Sequence, residues 1–190
     1  MRVSREQMAE NRQKILDAAS RLFRAKGFEA VSVAEVMKAA GLTHGGFYGH
    51  FRSKDDLIAC ALATACEPPP NRKLDIDAFI KGYLSPRHRE NVAGGCPLAG
   101  LTAESLRQTP EARAAITDGM QQQLERMTAA LQDKGVADPR QAAIGNLAAL
   151  VGGLMFARAC DDPQLSDELL QQTRAWIEQT NQHNSSTADT

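Results

Sequence analysis

The sequence offers almost nothing from which to build a sheet. Its longest β-branched cluster is Val31-Ser32-Val33, shorter than the roughly 4–8 residues of a strand. Apolar residues recur instead at helical spacing. Ile15, Leu16, Ala19, Leu22 and Phe23 fall on one face, and Gly27 supplies a stop. Ser32-x-x-Glu35 has the spacing of a capping box and opens a short helix ending near Ala40-Gly41. Thr43 can cap a further short helix through Phe51, and Ser53-x-x-Asp56 caps another that runs to the prolines Pro68–Pro70. Ile76–Leu84 follows, stopped by Pro86, then a loop over Pro86–Gly95. Helices are expected over Pro97–Gln108, Pro110–Lys134, Pro139–Cys160 and about Gln164–Gln182, with prolines 97, 110 and 139 at first-turn positions. The fold class is therefore all-α, with about nine helices. The expected division is a head over residues 1–54, a helix from Lys54 that connects it to a body over 55–182, and a loose polar tail over 183–190.

The charge is split along the same line. The formal net charge is −1 overall, but residues 1–54 hold 10 Lys and Arg against 5 Asp and Glu, a net of +5. Residues 55–190 hold 12 against 18, a net of −6. A basic head on an acidic body implies an anionic partner for the head. The longest apolar stretch, Leu147–Ala157, has 11 residues, about half of the roughly 20 that span a bilayer, so no membrane partner is expected. The opening run MRVSREQMAENRQK lacks the apolar core of a secretory leader. Cys60, Cys66, Cys96 and Cys160 form no regular framework; reduced thiols and a cytoplasmic location are the expectation. The four histidines His44, His50, His88 and His183 are scattered, so neither a metal nor a cofactor is expected. Gly-rich phosphate loops, GxSxG and HExxH are all missing, which speaks against an enzyme.

Residues 32–51 hold the clearest chemistry. Two short helices meet at Ala39-Ala40-Gly41-Leu42-Thr43, where small residues permit close approach, Gly41 permits a left-handed backbone and Leu42 plugs the gap. That is helix-turn-helix geometry, whose second helix enters the major groove. In that helix Phe47 and Phe51 face the core, while His44, Gly45, Tyr48 and Gly49 share much of the other side. Its three glycines cost roughly 1 kcal/mol each relative to Ala, so it needs tertiary support and leaves a bare face. The run VSVAEVMKAAGLTHGGFYGHFRSKDDLI, with Phe47-Tyr48-x-His50-Phe51-x-Ser53-Lys54-x-x-Leu57 at its centre, resembles the DNA-binding domain of the TetR family of transcriptional regulators over about residues 10–60.

The resemblance implies a fold of nine or so helices with a dimerising, ligand-binding body, and it implies roles position by position. Thr43, Tyr48 and His50 would contact the operator backbone, and Lys54 would pair with phosphate at a helix N-terminus. His44, Gly45 and Gly46 sit where relatives read base edges, assisted by helix-2 positions near Ser32 and Ala34. Arg2, Arg5 and Arg12 would add contacts from an N-terminal arm. Taken without the motif, Tyr48 reads as a solvated aromatic and Lys54 as an ordinary helix-end lysine.

The body says less. Pro139–Cys160 is apolar on nearly all sides and must be covered on nearly all sides. Leu165, Leu169, Thr173, Trp176 and Ile177 repeat at helical spacing in the last helix. Two such helices from each of two subunits would make a four-helix bundle, as in the resembled family, through Leu147, Val151, Leu154, Met155, Leu169, Thr173 and Trp176; the alternative is an intrachain core. A ligand pocket would be lined from Phe79, Tyr83, Leu98, Leu101, Leu106, Ile116, Met120, Leu124, Met127 and Phe156. Cys96, just before a helix that Pro97 starts, is a candidate sensor thiol for an electrophile or oxidant, or a small residue with no reactivity. The function expected is a ligand-responsive repressor: a homodimer on a palindromic double-stranded operator, released by a small-molecule effector or by modification of Cys96. The alternatives are a helical interaction adaptor and a thiol enzyme using Cys96.

Overall fold

The computed structural model describes residues 4–69 and 73–186, all helical or irregular among those described. The chain divides into two compact units, one of residues 1–67 with 92–119 and the other of residues 68–91 with 120–190. The first unit thus takes in residues 55–67 and 92–119 beside the head expected over 1–54.

In the first unit α1 spans Arg5–Lys26. Ser4 starts it, its Oγ accepting from Gln7 N at 3.1 Å, and Gly27 ends it with φ 82°. The face of Ile15, Leu16, Ala19 and Phe23 is buried, each large side chain stabilising by about 1.5–3 kcal/mol. α2 (Val33–Ala39) is capped by Ser32 Oγ on Glu35 N. The return arm of that box is not made: the Glu35 carboxylate pairs with Lys26 at 2.6 Å instead. A 3-10 helix, His44–Gly49, follows. α3 (Lys54–Cys66) begins with Ser53 Oγ on Asp56 N, while Asp56 reaches back to the Arg52 N–H at 2.9 Å. α6 (Pro97–Ser105) packs on α1 and α3. Its Glu104 Oε2 accepts from Phe28 N at 2.8 Å and stands 2.9 Å from where a Gly27 Cβ would be, so only glycine fits that stop.

The second unit holds α4 (Ile76–Tyr83), α5 (Pro86–Glu90), α8 (Pro139–Ala159) and α9 (Pro163–Ser186). α7 (Pro110–Gln132) passes from the first unit into the second. α5 lies where a loop was expected. Ser85 Oγ accepts from His88 N at 3.3 Å with Pro86 in the first turn, so the proline read as a stop is also a start. Arg158 donates to the carbonyls of His88 and Arg89, and Arg89 pairs with Asp167 at 2.7 Å, which fastens α5 to α8 and α9. Buried Asn146 of α8 bonds Asn181 of α9 at 3.0 Å. α8 is long and apolar enough to cross a membrane by length and composition alone. Its Ala143, Leu147, Leu150, Leu154 and Ala157 are buried within the chain, where α8 packs on α9 and also on α4 and α5.

Candidate nucleic-acid interface

The recognition region is built from its turn outward. Gly41 at φ 72° lets Leu42 N reach Met37 O at 2.9 Å and Gly41 N reach Lys38 O at 3.1 Å. That pair of bonds is a Schellman motif, and it fixes the angle at which the chain leaves α2. Thr43 then starts the 3-10 helix with Gly46 N on its carbonyl at 3.0 Å; its hydroxyl makes no cap bond and the residue is exposed. Phe47 and Phe51 are buried, their rings stacked at 5.8 Å. This anchors one face and turns the other outward.

The outward face carries Thr43, His44, Gly45, Gly46 and Tyr48, all exposed. Tyr48 is 74% exposed, its ring edge-on to Phe47 at 5.2 Å. A Cβ at Gly45 would meet nothing within 4 Å, and one at Gly46 or Gly49 would make only ordinary contacts. The fold therefore does not require glycine at these three positions. The sequence predicts a short helix here, and the tighter 3-10 geometry fits a segment in which three of six residues are glycine.

His50 is half-buried, and burial first, then the nearby Arg12 charge, hold its pKa below the ordinary histidine value. Lys54, in the first turn of α3, donates from Nζ to Glu29 O at 3.4 Å. Ser32 is exposed, but its hydroxyl is engaged in capping α2. Arg52 is a further cation beside this face that the motif does not mark: its side chain is 91% exposed and pairs with Asp56 at 3.2 Å, holding that carboxyl below its usual range. The Arg52–Asp56 spacing of four was the available signal. Arg5 is exposed on α1, Arg2 lies outside the described residues, and Arg12 turns inward rather than out.

A profile described as "Bacterial regulatory proteins, tetR family" matches residues 15–60. A second, "Tetracyclin repressor-like, C-terminal domain", matches residues 73–173, more than half of the chain. The chain belongs to the TetR family. AcrR, an HTH-type transcriptional regulator of Shigella flexneri, is 45% identical over 58 residues, 30% of this chain and 27% of that protein. The chain thus spans about a quarter of that relative's length. Among solved structures, a TetR transcriptional regulator from Chloroflexus aurantiacus is 24% identical with a TM-score of 0.71, covering 92% of this chain and 97% of that one. The reduced form of Escherichia coli NemR is 20% identical with a TM-score of 0.66, covering 89% and 96%. At these identities the structural likeness speaks for the fold alone. Relatives in the TetR family are transcriptional regulators, not enzymes, which removes the thiol-enzyme alternative.

The family's body features fall less neatly on this chain. Leu154 and Leu147 are 0% and 6% exposed in their own unit and belong to its core, a correction to their expected place at a dimer interface. Thr173 is half-buried against Gly153. Met155, Trp176 and the half-buried Val151 and Leu169 remain on the outer side. Among the expected pocket residues, Phe156 is 66% exposed and Leu106 70%, so neither lines an interior. Tyr83 and Met127 are buried and Phe79 and Met120 half-buried in the second unit, where the Phe79 and Tyr83 rings lie 5.6 Å apart. Leu101 is buried in the first unit, and half-buried Cys96 caps α6 there without using its side chain.

Proposed function

We propose that the chain is a dimeric, operator-binding repressor whose hold on DNA is released through its body. The observation that carries the DNA reading is the exposed face of Thr43, His44, Gly45, Gly46 and Tyr48, with no side chain at the two glycines, set on a head of net charge +5. Such a surface admits a duplex closely, with His44 offering a donor or acceptor to a base edge. Thr43, Tyr48, His50 and Lys54 surround it as phosphate contacts. Footprinting on duplexes selected from a randomised pool tests this. A protected two-fold symmetric site with half-sites one helical turn apart supports it, and equal binding to every sequence counts against it.

Dimerisation is supported by the outer arc of α8, where Ile144, Ala148, Val151, Gly152 and Met155 carry no charge, and by Leu165, Leu169 and Trp176 along α9. Covering both from a second copy removes apolar surface from water. One head reads few base pairs, and two-fold pairing supplies the second half-site.

Effector response rests on a smaller observation. Gln123 Nε2 in the second unit is buried with no hydrogen-bond partner among the described residues, a donor that a small-molecule acceptor would satisfy. Cys96 provides a second trigger. It interacts electrostatically with Arg24 and Cys66, and Cys66 itself is pushed up to about 11 by burial and then by Cys96. Burial thus keeps the Cys66 thiol protonated, and Cys96, half-buried at the start of α6, is the thiol proposed to meet an electrophile. Quinone-induced DNA release that is equal in wild type and Cys96→Ser removes the thiol reading. The proposed location is the cytoplasm.

A further inference from the structure

A recognition segment half made of glycine must be held from outside, and the sequence does not say by what. Its start is fixed by the turn at Gly41 and its middle by buried Phe47. Its end has a different restraint. Arg12, in the middle of α1, donates from Nη1 to the His50 carbonyl at 2.7 Å and from Nη2 to Cys60 Sγ of α3 at 3.2 Å. The guanidinium carbon also lies 4.2 Å from the centroid of the Phe51 ring. One planar cation thus touches the last carbonyl of the recognition segment, the aromatic residue after it, and the next helix.

The His50 carbonyl is the kind of helix-end acceptor that has no partner within its own helix. A charge-assisted bond at 2.7 Å is among the stronger ways to occupy it. The contact with the Phe51 face adds an attraction of the same sign. Because Tyr48 lies between Phe47 and His50, restraining both ends of that stretch restrains the backbone from which its ring projects. We propose that Arg12 is a positioning residue for operator binding, which holds the C-terminal end of the recognition segment in place without itself touching DNA. This rests on the operator-binding reading above and replaces the arm contact that the sequence predicts for Arg12. Lysine is a poor substitute: its compact ammonium lacks the planar fork that spreads two nitrogens to separate acceptors while the guanidinium lies against a ring.

The test compares full-length wild type, Arg12→Lys and Arg12→Gln on a duplex selected by the wild type from a randomised pool, across a salt series. Amide hydrogen exchange is followed on the DNA-free proteins. Both variants are expected to bind at least tenfold more weakly with the wild-type salt slope. His50 and Phe51 amides are expected to exchange at least tenfold faster, while those of Leu16 and Ala19 stay within twofold. Three results would overturn the proposal. One is a slope that falls by about 0.9 in Arg12→Gln with affinity restored in Arg12→Lys, which marks a direct phosphate contact. Another is affinity and exchange within twofold of wild type. The third is exchange that accelerates across α1 and α3 alike, which marks a general loss of stability. If the wild type selects no duplex, the operator reading fails and the positioning role with it; the exchange comparison still decides whether Arg12 holds the segment.

Discussion

Gly46 shows how a single residue can oppose stability and function. Its backbone is ordinary, and a Cβ there would find Met37 Cε and Thr43 Oγ1 at 3.8 Å, within normal contact. Gly46→Ala is therefore expected to stabilise the head by about 0.5–1 kcal/mol, while the added methyl holds the duplex away and weakens operator binding at least several-fold. Chemical denaturation and a binding titration on the same variant check both signs; tighter binding with higher stability would show that the bare face serves no close approach. At this scale the sequence was readable where a residue's type already limits its place. Phe47 and Phe51 had to be buried, Gly41 had to take a left-handed backbone, and Ser32 and Ser53 had to cap. Arg12 was not readable, because a long cation on a helix is equally suited to solvent and to a carbonyl 38 positions away. The exposure of Phe156 was not readable for the converse reason: an apolar type does not say which side of a mostly apolar helix faces in.

Between elements, one close fit lies where α8 meets α9. A Cβ on Gly153 would stand 2.9 Å from Thr173 Cγ2 and Oγ1. Gly153→Ala gains helix propensity but overpacks this contact, and overpacking wins: a net loss of about 1–2 kcal/mol is expected. The double variant with Thr173→Ala should recover most of it, and a double-mutant cycle by denaturation decides. Additive losses would contradict the contact. α5 offers a second handle. His88 Nδ1 lies 2.8 Å from the Tyr83 carbonyl, which requires the N–H form, and its ring packs edge-on to Tyr83 at 4.6 Å. Burial first, and also the Arg158 charge, hold its pKa below the ordinary value of 6.5, against the opposing pull of the Tyr83 carbonyl. The unfolded chain then takes up the proton before the folded one. The stability this provides is full above pH 6.5 and is lost as pH falls through the lowered folded value. Thermal midpoints measured from about pH 7.5 to 5 should fall in wild type and fall less in His88→Gln; equal falls would remove His88 from the cause. Helix existence was legible from spacing and prolines, whereas α5 was hidden because Pro86 can end one helix and begin another.

For the whole molecule, the net charge of −1 conceals the separation of a basic head from an acidic remainder. The sequence carried that separation, since charge needs only counting. It did not carry the grouping of residues 92–119 with the head, which depends on contacts such as Glu104 to Phe28 that no periodicity reveals. Self-association belongs to this scale. Met155 and Trp176 are 40% and 54% exposed, so Met155→Asp and Trp176→Asp should leave the monomer folded and shift it from dimer to monomer in sedimentation at micromolar concentration. A wild type that already sediments as a monomer would contradict the dimer. The central claim, that this chain meets DNA through the face around Tyr48 and Lys54, is tested most directly by the salt dependence of its binding to a selected duplex. The logarithm of affinity should fall linearly with the logarithm of salt, by about 0.9 per phosphate contacted, and Lys54→Ala should make that slope about one contact shallower. An affinity indifferent to salt and to Lys54→Ala would contradict it.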